Sequence, residues 1–351
     1  MPQFNIPDEV KEILKKFDKK NFEIYIVGGA VRDLLMGKLP DDWDFTTNAT
    51  PEQVLSVLGE KAYYNNKFGT VAIASLEDLD PFEITTFRTE SGYSDNRRPD
   101  KVSWGKSLDV DLERRDFTIN AIALDQNQKI IDPFGGQKDL DKKIIRAVGN
   151  PTDRFKEDAL RMMRAVRIAS QLNFKIMNAT FDAIKTSSKL INKISSERIK
   201  DELFKILESP HPYTGILMLK DSLLMHEILP EVENMFGVEQ KSPGRHHIYD
   251  VGTHAVMSLK FCKSEDPVTR FATLIHDIGK PKTMKKLDTG TITFYNHEVV
   301  GANIARRIAD RLRFSKQETD KLLKLVRWHQ FTVNETQTDG AIRRFIKNVG
   351  V

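Results

Sequence analysis

Across 351 residues there is a single cysteine, Cys262. That excludes an intrachain disulfide and any zinc site built from several thiolates. No apolar run approaches the roughly 20 residues that cross a bilayer, and the opening MPQFNIPDEV is no signal peptide. No repeat or low-complexity tract stands out. Neither sign of charge dominates: 54 Lys and Arg stand against 50 Asp and Glu, a net charge of +4 that suits a polyanionic partner without requiring one. With 30% charged and 40% hydrophobic residues the composition is that of ordinary soluble proteins, and the length suggests two or three domains. A cytoplasmic enzyme is the simplest class.

What is present concentrates in Ile24–Asp44, IYIVGGAVRDLLMGKLPDDWD. The β-branched and aromatic run Ile24–Val27 reads as a buried strand, followed by Gly28 and Gly29 and a short helix from Ala30 to Met36. A strand that enters a helix through Gly-Gly exposes backbone N–H groups, which favour bound phosphate, and Arg32 adds a fixed charge on the first turn. Asp42 and Asp44 flank Trp43, so in a strand both carboxylates share a face. Two such carboxylates suit a hard cation such as Mg²⁺. Taken singly, a Gly-Gly turn is most often only a turn and an Asp pair only a solvated loop. The whole combination resembles the polymerase-β-like nucleotidyltransferases, in particular the class II tRNA nucleotidyltransferase (CCA-adding enzyme) and bacterial poly(A) polymerase family.

Further motifs extend the resemblance. Pro7–Phe17 reads as an amphipathic helix, Thr50-Pro51 opens another, and Thr70–Ala74 and Phe82–Phe87 read as strands. Glu83 in FEITTFR resembles the family's third carboxylate, although an edge-strand Glu in solvent would read the same. Arg88–Glu113 is polar and without periodicity, which predicts a loop; the resemblance implies the flexible loop of CCA-adding enzymes. RRDFTINAIALD (Arg114–Asp125) reads as a helix capped by Asp116. It matches the family's second motif, which implies triphosphate contact for Arg115 and packing or sugar contact for Asn120. DPFGG at Asp132 is a turn, a short helix and the strand Ile144–Val148 follow, and the catalytic domain is expected to close near Gly149.

Glu157–Gln171, EDALRMMRAVRIASQ, reads as one helix on which Asp158 and Arg161 touch. Its resemblance to the family's base-recognition helix implies that Asp158, Arg161, Arg164 and Arg167 contribute to nucleotide binding. The chemistry is consistent: a carboxylate only accepts and a guanidinium only donates. The pair therefore complements the amino group and ring nitrogen of cytosine and adenine and mismatches uracil and guanine. A bidentate contact of this kind discriminates by about 1–3 kcal/mol. From Leu190 the chain is helical in pattern, matching the family's neck and body helices.

His254, His276-Asp277, His297 and His329 form a second constellation, and HDIGKP resembles the core of the HD phosphohydrolase domain. That resemblance implies that these five residues bind one or two divalent metals. The domain usually adds an Asp in a late helix, and here the chain stops at RRFIKNVGV, so the expectation is a truncated HD domain with an incomplete site. The reading as a whole is an α+β multidomain protein: a nucleotidyltransferase sheet domain at 1–149, a helical neck and body at 150–235, and an α-helical HD domain at 236–351. Its implied activity is addition of the 3′-terminal CCA to tRNA from CTP and ATP with Mg²⁺, Asp42, Asp44 and Glu83 being catalytic and Gly28, Gly29, Arg32 and Arg115 holding the triphosphate. A poly(A) polymerase and an HD-type phosphohydrolase are the alternatives. No membrane partner is expected.

Overall fold

The computed structural model describes residues 4–66, 69–73, 81–91, 101–105, 107–240, 248–331 and 337–349. The chain divides into two compact units, Met1–Arg161 with Phe174–Ser187, and Met162–Asn173 with Ser188–Val351.

In the first unit, helix α1 (Asp8–Asp18) buries Val10, Ile13, Leu14 and Phe17 along one stripe. Strand β1 (Ile24–Val27) runs through Gly28 into α2 (Gly29–Leu35), and β2 (Asp44–Thr47) precedes α3 (Pro51–Leu58). The entry to α3 is a capping box: Thr50 Oγ1 accepts from the Gln53 N–H while Gln53 returns a bond to the Thr50 N–H. β3 (Ala62–Asn66), β4 (Thr70–Ile73) and β5 (Phe82–Thr86) follow, then β6 (Arg88–Ser91), β7 (Lys101–Trp104) and α4 (Leu108–Glu113). After β8 (Ala123–Leu124) and β9 (Ile130–Ile131) come α5 (Gly136–Asp141), β10 (Ile144–Ile145) and α6 (Pro151–Glu157). Helix α7 (Leu160–Leu172) carries the chain into the second unit, and β11 (Lys175–Ile176) and α8 (Asn178–Ser187) return to the first.

Seven strands form one mixed sheet in the order β3-β4-β5-β2-β1-β8-β9, in which β2 and β5 run parallel and their neighbours antiparallel. Its registers align one row across five strands: Val27, Asp44, Glu83, Ala72 and Tyr63 are successive partners. Directly paired residues project from the same face, so this row belongs to one side of the sheet. On that side Leu108 and Leu112 of α4 pack with Val27, Phe87, Ala121 and Ala123.

Two expectations are corrected here. Of the loop expected over Arg88–Glu113, residues 92–100 and 106 lie outside the described residues, but the rest is ordered as the β6–β7 hairpin and α4. The signal was Leu108 and Leu112 at helical spacing, masked by the acids between them. RRDFTINAIALD is not a helix. It is a 3₁₀ turn at Thr118–Asn120 followed by β8, whose pairing with β1 and β9 overrides the local helical period.

The second unit is helical. After a 3₁₀ segment (Ser188–Lys193) come α9 (Ser196–Glu208), α10 (Pro212–Asp221), α11 (Leu224–Ile228), α12 (Pro230–Glu233), α13 (Val251–Lys260) and α14 (Pro267–Ile275). A short α15 (Lys280–Thr283), the two-residue strands β12 (Lys285–Lys286) and β13 (Ile292–Thr293), α16 (His297–Arg311), α17 (Lys316–Trp328) and α18 (Asp339–Val349) complete it. Buried Arg270 closes the end of α9 by donating from Nη1 to the carbonyls of Leu207 and Ser209, satisfying acceptors that a helix C-terminus leaves open.

Candidate active site

Gly28 ends β1 with φ +74° and ψ −136°, backbone that suits glycine and little else. A β-carbon placed there would lie 3.3 Å from Arg115 Nη1 and 3.4 Å from Asp44 Oδ2. The turn, the arginine and the carboxylate therefore converge on one spot. Arg115 is steered by fully buried Asp111, which takes Arg114 at 2.6 Å, Arg115 at 3.5 Å and the Thr46 hydroxyl at 3.1 Å. Burial would raise the Asp111 carboxyl, but the guanidinium charges of Arg114 and Arg115, with the hydrogen bonds, hold it below the ordinary carboxylate range. The buried Nε of Arg115 has no hydrogen-bond partner among the described residues. Arg32, beside Gly29, is fixed by both oxygens of Asp33 (2.9 and 3.0 Å) and donates to Asn120 Oδ1 at 3.0 Å. Asn120 in turn donates to Asp116.

Asp42 precedes β2 rather than lying within it, yet exposure still alternates: Asp42 and Asp44 are exposed, Trp43 and Phe45 buried. Asp44 pairs in register with Glu83 on the parallel strand. With Trp43, Tyr63, Ala72 and Pro81 these three carboxylates line a pocket of about 430 Å³. Oxygen donors alone, at an open pocket, fit a hard divalent cation. Among the described residues, sets of three ligand atoms lying within 4.8 Å of one another occur only around Asp277, so Asp42, Asp44 and Glu83 share a pocket without forming so tight a cluster.

The expected single helix over Glu157–Gln171 is broken. α6 ends at Glu157, Asp158 is extended (φ −141°, ψ 106°), and its Oδ1 accepts the Leu160 N–H at the start of α7. Asp158 thus acts as a helix-start acceptor, which is why the chain turns there. Arg161 donates to Glu157 at 2.5 Å and to the carbonyls of Arg154 and Arg114. Arg161, Arg164 and Arg167 recur every three residues on α7 and are all half-buried; Arg167 pairs with buried Glu202 at 2.8 Å.

In the second unit Asp277 collects the predicted histidines. His276 Nε2 lies 3.1 Å and His254 Nε2 3.8 Å from Oδ2; His297 Nε2 lies 3.3 Å and His329 Nε2 3.7 Å from Oδ1. The Nδ1 atoms of His276, His297 and His329 each sit 2.8 Å from the carbonyl three residues earlier, which assigns their N–H to that side and turns Nε2 inward. Two sets, His254–His276–Asp277 and Asp277–His297–His329, have ligand atoms within 4.8 Å of one another, and imidazole with carboxylate fits a divalent metal. Lys280 and Gln240, which motif reading passed over, complete the cluster. Lys280 Nζ lies 2.7 Å from Asp277 Oδ2 and donates to Gln240 Oε1 at 2.9 Å. Burial would raise the Asp277 carboxyl, but the surrounding imidazoles hold it far below the ordinary range.

Three family models match the chain in succession: the poly A polymerase head domain over residues 24–146, the probable RNA and SrmB-binding site of polymerase A over 173–236, and the HD domain over 244–344. The chain thus carries, in order, matches to the poly A polymerase head domain, the polymerase A RNA-binding region and the HD domain. Among curated proteins it is 51% identical over 223 residues to a CCA-adding enzyme of Ligilactobacillus salivarius, covering 63% of this chain and 55% of that protein. A CCA-adding enzyme of Geobacillus thermodenitrificans is 44% identical over 210 residues, 60% of this chain and 52% of the other. The chain thus spans about half the length of the curated proteins it matches. The crystal structure of the Bacillus stearothermophilus CCA-adding enzyme in complex with CTP superposes with a TM-score of 0.73 at 28% identity, covering 97% of this chain and 75% of that one. Head and HD families of this kind typically use divalent metals.

Proposed function

We propose that this protein adds the 3′-terminal CCA to tRNA, taking CTP and ATP in turn with Mg²⁺ as the metal. The observation that carries the reading is the meeting of Gly28, Asp44 and Arg115 at one point beside the carboxylate pocket. The naming of its curated relatives as CCA-adding enzymes, and the CTP complex of the structurally similar Bacillus stearothermophilus CCA-adding enzyme, support the choice of substrate. In this reading the RNA 3′-oxygen attacks the α-phosphorus, the bond to the β-phosphate's bridging oxygen breaks, and pyrophosphate leaves. Gly28, Gly29, Arg32 and Arg115 bind the triphosphate, and Asp111 keeps Arg115 aimed at it. Asp42 and Asp44 would hold the Mg²⁺, which supplies neutralisation of the charge that builds on the phosphates. Glu83, paired in register with Asp44, would take the hydroxyl proton. Asp158 and Arg161, followed by Arg164 and Arg167, select C and A over U and G. A three-module division, with catalysis in 1–149, base selection in 150–235 and the His–Asp cluster in 236–351, follows the order of the family matches. In the last module His254, His276, Asp277, His297 and His329 would bind a second divalent metal. Acting on tRNA, the protein works in the cytoplasm; no helix among the described residues is long and apolar enough to cross a membrane.

Incubation of the full chain with tRNA ending before CCA tests the reading. CTP alone should add two residues, CTP with ATP three, and Asp42→Ala with Asp44→Ala should abolish both. Long A tracts without C incorporation would instead identify a poly(A) polymerase. Phosphatase activity without any nucleotide addition would identify an HD hydrolase.

A further inference from the structure

The carboxylate pocket has a wall that the proposed reaction leaves without a role. Tyr63 lines it together with Asp42, Asp44 and Glu83 and is 49% exposed. Its place in the sheet explains its direction. Tyr63 pairs with Ala72, Ala72 with Glu83, and Glu83 with Asp44, so its side chain stands on the carboxylate face. Tyr64, pointing oppositely as strand alternation requires, donates its hydroxyl to Glu52 of α3 at 2.8 Å. Along this row the small side chain of Ala72 separates Tyr63 from Glu83 and Asp44. The tyrosine thus lines the same pocket as the carboxylates, three strand spacings or about 14 Å from Asp44.

The order along this row is informative. Gly28 and Arg115 lie on the β1 side of Asp44, and Tyr63 lies on the opposite side, beyond Glu83 and Ala72. In phosphoryl transfer the attacking and leaving oxygens are roughly in line on opposite sides of the phosphorus. If the leaving pyrophosphate rests at Gly28 and Arg115, the attacking hydroxyl approaches from the Tyr63 side. We infer that Tyr63 is a stacking wall for the last base of the acceptor RNA, holding that nucleotide so that its 3′-hydroxyl points at the carboxylates. The inference rests on the nucleotidyl-transfer reading above. Stacking on an aromatic face tolerates every base, which suits a site whose acceptor end changes after each addition.

The test uses the full chain and a tRNA lacking CCA whose last base is 2-aminopurine, a fluorophore quenched by stacking. Binding without nucleotide should quench it with the wild type and with Tyr63→Phe, and Tyr63→Ala should abolish the quench. In steady state Tyr63→Ala should raise the KM for tRNA on the order of 10- to 100-fold. The KM for CTP should stay within about two-fold, and Tyr63→Phe should restore the tRNA KM. A quench that survives Tyr63→Ala, or a CTP KM that rises in step with that for tRNA, overturns the inference. Absence of nucleotide addition by the wild type would overturn the underlying reading instead, and the equilibrium quench would still decide whether Tyr63 stacks.

Discussion

At Asp111 two guanidinium groups meet one fully buried carboxylate. Removing the charge without changing the shape leaves Arg114 and Arg115 facing a neutral amide in a place with little water. Asp111→Asn is therefore expected to lower stability by about 3–5 kcal/mol, the range for breaking a buried pair from one side, read from urea unfolding. The pH dependence carries a sign. A carboxylate whose folded pKa lies below its unfolded one contributes stability that is complete above the unfolded value, about 3.9, and fades as the pH falls through the folded value. The wild type should lose stability in that acid window, and Asp111→Asn should show a shallower acid limb. Gly28 is the second residue on which the site turns. Alanine at φ +74° is strained, and its methyl would stand in the space between Asp44 and Arg115. Gly28→Ala should fold, with a loss of about 1–3 kcal/mol, while nucleotide addition falls by more than ten-fold.

Among the elements, the strand–Gly-Gly–helix unit and the alternating Asp42–Trp43–Asp44 were legible because their logic is local: period, turn chemistry and charge. The HDIGK motif was legible for the same reason, since His276 and Asp277 adjoin. What was hidden depended on partners distant in sequence. Ala123-Leu124 lies within a helical period and becomes a strand because β1 offers it an edge. Asp158 looked like a helix residue, and its bond to the Leu160 N–H makes it the start of the next helix instead. Tyr63 and Asp111 carry no motif; only register and burial reveal them. Gly279 shows the same dependence in the second unit. A β-carbon there would lie 2.0 Å from the His297 carbonyl oxygen and 2.7 Å from the Gly301 N, backbone that cannot step aside. Gly279→Ala should therefore push α16 away, carrying His297 from Asp277. The expected result is a destabilisation of about 1–3 kcal/mol or more and loss of Mn²⁺ binding at the cluster by titration calorimetry.

For the whole molecule, the carboxylate pocket and the His–Asp cluster fall in different compact units. The carboxylate pocket is built from residues of the first unit alone, and the Asp277 cluster from residues of the second alone. Sites with no shared partners couple weakly, with stability effects that add to within about 0.5 kcal/mol. Asp44→Ala should abolish nucleotide addition and leave metal binding at the His–Asp cluster unchanged. Asp277→Ala should do the reverse, because it removes the one carboxylate toward which all four imidazoles turn while leaving Gly28, Arg115 and Tyr63 in place. The double variant should lose both functions, and its unfolding free energy should equal the sum of the single effects. A single-turnover assay with CTP and tRNA, run beside Mn²⁺ titration of each variant, checks this. A drop of more than ten-fold in nucleotide addition by Asp277→Ala, with its stability otherwise near wild type, would show instead that the second unit's cluster governs the first unit's reaction.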